Sequence, residues 1–262
     1  MKLSLQILDP DGHVEMERAE ENEVFLVHDL PYQRGSRLRL TTDQPGCHIV
    51  FSLDEGLPGT LAYLAGEHFE FPVPFESDRI PYPPQAFMST RHRLLARSAR
   101  PEEVESRRNL ALNPWDCHTN QTLFPHAFAN VETRGEAVFA ARNAIDGEMP
   151  NDDHGVWPFS SWGINQNPDA ALSVQFGRHV EIDEVVIRMR ADFPHDAWWE
   201  RATIAFSDGS ETIIALKKTG SNQAFCFPSR RVEWVKLQQL IKADDPSPFP
   251  ALTQIEVWGH DV

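Results

Sequence analysis

The stretch EVVIRMR, residues 184–190, alternates in polarity with a period of two. Val185, Ile187 and Met189 therefore share one face of a predicted strand, and both arginines lie on the opposite face. Pro194 ends the pattern, because proline has no N–H to donate to a ladder. The stretch predicts a half-buried antiparallel strand that leads into a loop.

The loop after this strand carries reactive and aromatic side chains, namely Asp192, His195, Asp196, Trp198 and Trp199. Flat aromatic faces beside carboxylate and imidazole groups suit a ligand with both apolar and hydroxylated faces, such as a sugar. The alternative is that one tryptophan closes the end of a sandwich and the charged groups cap it.

Length and composition limit the class of protein. The chain has 262 residues, enough for one large or two ordinary domains, and 20 of them are prolines. Its 41% hydrophobic content predicts a soluble, loop-rich, all-β protein. The net charge of −15 disfavours nucleic acid and anionic membranes as partners, and no apolar run approaches the roughly 18 residues of a membrane helix.

The three cysteines, Cys47, Cys117 and Cys226, are odd in number and far apart. This spacing favours reduced thiols over a disulfide framework. Two aspartates, Asp9 and Asp11, also interrupt the first apolar segment before it reaches the length of a signal-peptide core. The expected location is the cytoplasm.

The sequence of residues 1–100 has the pattern of consecutive strands separated by turn residues. The predicted strands are 3–8, 23–27, 37–41, 48–53, 60–65, 68–71 and 91–98. We expect a β-sandwich or jelly-roll-like domain, and no residue in it indicates a function.

A short helical linker is predicted over residues 101–108. Proline begins this segment, acidic residues follow and arginines end it, an order that complements a helix dipole. All tryptophans lie after the linker and all tyrosines before it. We therefore expect a second domain with a different core, residues 109–262.

The second domain shows further alternating strands, and Gly209 supplies a tight hairpin. The alternating pairs are Leu172 with Val174, Ile204 with Phe206, Val235 with Leu237 and Ile255 with Val257. Residues 136–145 are predicted as a short helix that ends at Asp146. This pattern is typical of two sheets packed face to face.

Several short motifs occur in order in this domain. They are NLA (109–111), AARNAIDG (140–147), WPFSSW (157–162), DAALSVQFG (169–177), VEIDEVV (180–186), AFSDG (205–209), VEWVKL (232–237) and LTQIEVWG (252–259). Together they resemble the coagulation factor 5/8 type C, or discoidin-like, domain, a galactose-binding-like β-sandwich that includes many bacterial carbohydrate-binding modules. The resemblance covers about residues 109–259.

The resemblance implies a structural calcium ion held by backbone carbonyls, Asp146 and Glu256. The alternative is that Asp146 caps a turn and Glu256 is exposed. Two departures are evident: the polar insertion 114–136 is longer than the family needs, and the usual cysteine pair is absent, as in bacterial intracellular relatives.

Ligands of such domains usually lie among the loops at one end of the sandwich. Here the loops with suitable chemistry are 152–162 and 192–199, with Arg190 at the rim. The predicted ligand-binding residues are His154, Trp157, Trp162, Arg190, Asp192, His195, Asp196, Trp198 and Trp199.

The favoured function is noncatalytic recognition of a sugar or sugar acid, with no organic cofactor. No GxSxG elbow, P-loop, HExxH or GxGxxG motif is present. Two alternatives stay open. One is a sugar-active enzyme that uses His195 and Asp196. The other is an interaction module whose aromatic loops bind another protein or a second copy of the chain.

Overall fold

The computed structural model describes residues 1–152, 155–191 and 197–262, and it is dominated by antiparallel strands. The first strands are β1 (Lys2–Leu8), β2 (Val14–Glu21), β3 (Glu23–His28), β4 (Arg37–Thr42), β5 (Cys47–Ser52), β6 (Thr60–Leu64), β7 (His68–Pro72) and β8 (His92–Ser98). After helix α1 (Pro101–Glu105) come β9 (Arg108–Asn109), β10 (Leu123–Phe124), β11 (His126–Ala129), β12 (Trp162–Gly163), β13 (Leu172–Met189), β14 (Trp199–Phe206), β15 (Glu211–Ala215), β16 (Gln223–Lys242) and β17 (Ala251–Asp261). Short 3₁₀ helices occupy Glu76–Arg79, Thr133–Gly135, Ala137–Phe139 and Ala141–Ile145.

The first eight strands, together with β10, form two sheets that pack face to face. One sheet has the order β2-β1-β4-β7 and the other β10-β6-β5-β8-β3. Alternate residues of the strands other than β2, such as Leu5 on β1 and Phe51 on β5, fill the core between the sheets. This arrangement is the sandwich that the alternating pattern predicts.

The structure differs from the prediction in β2 and in residues 136–145. β2 was not predicted, because its sequence VEMERAEE is charged and almost wholly exposed, and only pairing with β1 orders it. Residues 137–139 and 141–145 form separate 3₁₀ turns in place of one helix. The Val138 carbonyl accepts the Ser161 N–H and the Ile145 carbonyl accepts the Asn113 N–H, so tertiary partners replace helical ones.

The C-terminal strands form one eight-stranded sheet with the order β12-β17-β13-β16-β14-β15, to which β11 and β9 add at β13 and β17. The pairing of β13 with β16 shifts register between Gln175 and Val180 and again between Ile182 and Glu184. Such irregularities bend a strand, and the bent sheet surrounds a second apolar core. The all-β fold class is therefore confirmed.

The segment after the linker contributes to both cores. β9 pairs with β17 of the C-terminal sheet, whereas β10 pairs with β6 of the N-terminal sandwich. Between them, Trp115 is fully buried in the first core, where its indole Nε1 donates to the Pro58 carbonyl at 3.0 Å. Contrary to the expectation from the sequence, tryptophan is therefore not confined to the second core. The domain boundary at 101–108 stays a prediction.

Helix α1 is short and capped by a carboxylate. Glu103 accepts the Arg100 backbone N–H at 2.8 Å and both terminal nitrogens of the Arg97 guanidinium at 2.8 and 2.6 Å. Among the described residues, no helix is long and apolar enough to cross a membrane.

Candidate functional site

Arg190 connects the end of β13 to the segment around Phe159. Its backbone N–H donates to the Ala251 carbonyl at 3.0 Å, and its Nη1 donates to the Phe159 carbonyl at 2.7 Å. The side chain is only 3% exposed, and its guanidinium lies 5.9 Å from the centre of the Phe159 ring. Arg190 was predicted to contact a ligand. This burial instead gives it the role of holding the 155–162 segment against the sheet.

Two of the predicted ligand-facing tryptophans are core residues. Trp162 and Trp199 are both 0% exposed, and their ring centres lie 6.3 Å apart. The Trp162 indole also donates to the Val131 carbonyl at 2.9 Å. A sugar cannot stack on a ring that has no exposed face, so the prediction is corrected for these two residues.

The other two tryptophans are partly exposed at the same end of the sandwich. Trp157 lies in the segment held by Arg190, and Trp198 precedes Trp199 and packs against the edge of the second core. The Trp157 indole Nε1 has no hydrogen-bond partner among the described residues. That nitrogen is buried, so the part of Trp157 that reaches solvent is its apolar ring, and Trp198 is likewise only partly exposed.

Four predicted site residues, His154, Asp192, His195 and Asp196, lie outside the described residues. Their role in ligand binding or catalysis stays a prediction.

Asp146 lies in a fully bonded turn. Its Oδ1 accepts the Glu148 N–H at 2.8 Å and the Gln254 Nε2 at 2.7 Å, and its Oδ2 lies 3.9 Å from the Arg142 guanidinium. Burial raises the pKa of Asp146 to about 6, although Arg142 and the two hydrogen bonds act in the opposite direction.

Glu256 has a different partner. It is 7% exposed, and its Oε2 accepts the Trp258 indole N–H at 2.6 Å. The two carboxylates thus share no bonded partner, and the donors around Asp146 are protein nitrogens. These residues do not fit the calcium site that the resemblance implies. The alternative holds for Asp146, which caps the turn by accepting the Glu148 N–H, but not for Glu256, which is buried instead of exposed.

Two other groups among the described residues combine enough carboxylate and imidazole ligands to hold a metal ion. The first is the surface cluster of Asp9, Asp11 and His13, and the second is the cluster of Asp54, Glu55 and His92. In the second, Asp54 already accepts the Gly56 and Phe87 N–H groups and contacts His92 Nδ1 at 2.9 Å. Sequence reasoning did not single out either cluster.

A cavity of about 310 Å³ lies between the N-terminal sandwich and the insertion. Its lining includes Tyr82, Cys117, His118 and Arg142. The Arg142 guanidinium lies 4.5 Å from the centre of the Tyr82 ring, and burial raises the pKa of the Cys117 thiol to about 11. A thiol with that pKa stays protonated at neutral pH, which disfavours nucleophilic chemistry there.

The charged groups of the insertion bond to one another. Asp116 is fully buried. Its carboxylate accepts hydrogen bonds from His126 Nδ1 at 2.7 Å and from the Ala127 N–H at 2.8 Å. The hydrogen bond to Glu132 raises the pKa of His118. These contacts order the insertion. Its unusual length was noted in the sequence only as a departure from the family, and the cavity was not predicted.

No protein-family model matches the chain, and no curated protein matches it. Solved structures do. A family 32 carbohydrate-binding module from C. perfringens in complex with galactose is 19% identical, covers 50% of this chain and 91% of its own, and has a TM-score of 0.39. Chitosan-binding module 1 of a chitosanase/glucanase from Paenibacillus sp. IK-5 is 22% identical over 58% of this chain and 99% of its own, with a TM-score of 0.40.

A fucose-binding module from Streptococcus pneumoniae is 16% identical, covers 59% of this chain and 99% of its own, and has a TM-score of 0.42. These structures are carbohydrate-binding modules, the same class of protein that the sequence motifs of residues 109–259 resemble. At such low identities and TM-scores, the ligand must be argued from the residues of this chain.

Proposed function

We propose that this protein binds a carbohydrate at the loop end of its C-terminal sandwich and does not transform it. The observation that carries the proposal is the junction of two segments at that end. Arg190 holds Phe159 at 2.7 Å, and Trp162 packs on Trp199, so the segments that bear Trp157 and Trp198 meet there.

The two partly exposed tryptophans supply the apolar side of the proposed site. An aromatic ring covers the C–H face of a sugar and leaves the hydroxyl groups at its edge to polar partners. We assign those polar contacts to His154, Asp192, His195 and Asp196, which belong to the same two loops in the sequence. The proposal needs no calcium ion.

The first experiment is a thermal-shift and glycan-array screen with neutral monosaccharides and sugar acids. The strongest ligand is then titrated calorimetrically into Trp157→Ala, Trp198→Ala and the unmodified protein. Loss of one aromatic face costs on the order of 1–3 kcal/mol, so we expect Kd to rise roughly ten- to a hundredfold.

Trp234→Ala is the matched control. Trp234 is also partly exposed, but it pairs with Gln175 at the opposite end of β13. Its loss should leave Kd unchanged. Equal weakening in all three variants, or unchanged affinity in both site variants, would contradict the proposed location. Product formation from the bound glycan would favour the enzyme alternative.

A further inference from the structure

Gln254 lies on β17, and its side-chain amide is surrounded by oxygens of the 143–148 turn. Gln254 is 3% exposed, and its Nε2 donates to the Asn143 carbonyl and to Asp146 Oδ1, each at 2.7 Å. The Glu148 carbonyl lies 3.4 Å from the same nitrogen. Gln254 Oε1 accepts the Gly147 N–H at 3.0 Å, so the whole amide is bonded to the 143–148 turn.

The oxygens around this nitrogen are of the kind that a hard cation prefers. Two backbone carbonyls and one carboxylate converge on one point, as they do at many calcium sites. An amide NH₂ group has two hydrogens, however, and the two bonds of 2.7 Å use both. The number and lengths of the contacts match an amide donor. They fall short of the six to eight ligands at 2.3–2.6 Å that calcium requires.

The charge of Asp146 is also balanced without an ion. The Asp146 carboxylate faces Arg142, which is 7% exposed and donates to Asn143 Oδ1 at 3.0 Å and to the Pro114 carbonyl at 3.1 Å. A divalent cation placed beside Asp146 would lie close to this fixed guanidinium and would be repelled by it.

We infer that the Gln254 amide occupies the position of a structural cation in this turn and closes the C-terminal sandwich without a metal. The inference is independent of the proposed ligand site, because it concerns a turn that contains none of the assigned ligand-binding residues. Glutamine at position 254 is then the residue that makes the fold independent of calcium.

The test compares melting temperatures in EDTA and in millimolar CaCl₂ for the unmodified protein, Gln254→Glu and the control Gln175→Glu. The unmodified protein should melt at the same temperature in both buffers. In EDTA, Gln254→Glu should melt on the order of 5 °C or more below the unmodified protein. The substitution replaces the NH₂ donor with a carboxylate oxygen, which cannot donate to Asp146 or to the two carbonyls. Gln175 is partly exposed on β13, and its substitution should shift the melting temperature by less than about 1 °C.

Two results would overturn the inference. One is a saturable rise of the melting temperature with calcium in the unmodified protein that Asp146→Asn abolishes. The other is an unchanged melting temperature for Gln254→Glu in EDTA. If that variant does not fold, NMR of the unmodified protein decides instead. We expect one glutamine side-chain NH₂ group to be protected from hydrogen exchange, and rapid exchange of all of them would also overturn the inference.

Discussion

At the scale of single residues, Asp261 joins parts of the chain that are far apart in sequence. Its carboxylate accepts hydrogen bonds from His48 Nε2 at 3.1 Å and from the guanidinium groups of Arg108 and Arg178. Burial raises the pKa of this carboxyl, but the hydrogen bonds from His48 and Arg178 outweigh burial and hold it well below its ordinary value. The ionised form is therefore the one that the folded protein stabilises.

This depressed pKa predicts acid sensitivity. The contribution of Asp261 to stability is complete above the ordinary aspartate pKa, near 4, and is lost as pH falls through and below that value. We expect Asp261→Asn to lower the free energy of unfolding at pH 7 by about 3 kcal/mol, because it removes one partner of a buried ionic group. The deficit should shrink towards pH 3.

Urea denaturation of both proteins at pH 7, 5 and 3 measures this difference, with Asp11→Asn as an exposed control. A deficit that stays constant across the three pH values would show that Asp261 acts through packing and not through its charge.

The adjacent tryptophans show what a sequence reveals about single site residues. The sequence placed Trp198 and Trp199 in a loop between two strands, whereas β14 begins at Trp199, and residue type did not indicate which of the two faces the core. Successive side chains of a strand point to opposite faces, so at most one of the pair could be freely exposed. Only the three-dimensional packing of Trp199 on Trp162 decides between them. The side-chain hydrogen bonds of Gln254 could not be predicted from the sequence either, because they depend on the path of the 143–148 turn.

At the scale of elements, β17 is paired on both sides and closely approached by β13 at one residue. It pairs with β13 along most of its length and with β9 and β12 at its two ends. At Gly259 the neighbouring strand is so close that an added Cβ would lie 2.0 Å from the Glu181 carbonyl oxygen and 2.8 Å from Ile182 Cα. Both atoms belong to backbone, which cannot move aside as a flexible side chain can.

We therefore expect Gly259→Ala to reduce the free energy of unfolding by about 3 kcal/mol, at the upper end of overpacking costs. Gly59→Ala is the control, because its Cβ would meet its nearest neighbour, the Phe51 carbonyl oxygen, at an ordinary 3.5 Å. Chemical denaturation of both variants provides the comparison. Equal stability of the two would mean that β13 and β17 separate easily at this point.

Strands could be predicted from the sequence where burial of one face makes apolar and polar residues alternate. Seven strands of residues 1–100 were predicted within a few residues of their observed limits, because each has one face in the core. β13 was read as two strands, since Gly177 interrupts a pattern that the structure continues through a register shift. β2 lacked any pattern because it lies at an exposed edge, where pairing with β1 and not burial orders it.

At the scale of the whole molecule, the insertion 114–136 links the two halves. Trp115 completes the first core, while β11 in the same insertion pairs with β13 of the second sheet. The buried charges of the insertion bond to one another. We expect the ligand at the end of the C-terminal sandwich, where Trp157 and Trp198 are partly exposed.

The most direct test of carbohydrate binding at this end is a sugar titration followed by the indole N–H signals in a ¹H–¹⁵N NMR spectrum. The chain has seven tryptophans, so each signal can be assigned by single substitution. We expect Trp157 and Trp198 to show the largest saturable shifts, with Trp115 in the first core and Trp234 at the far end of β13 unchanged. Shifts confined to Trp115 or Trp234, or no shift with any glycan that stabilises the protein, would contradict the account.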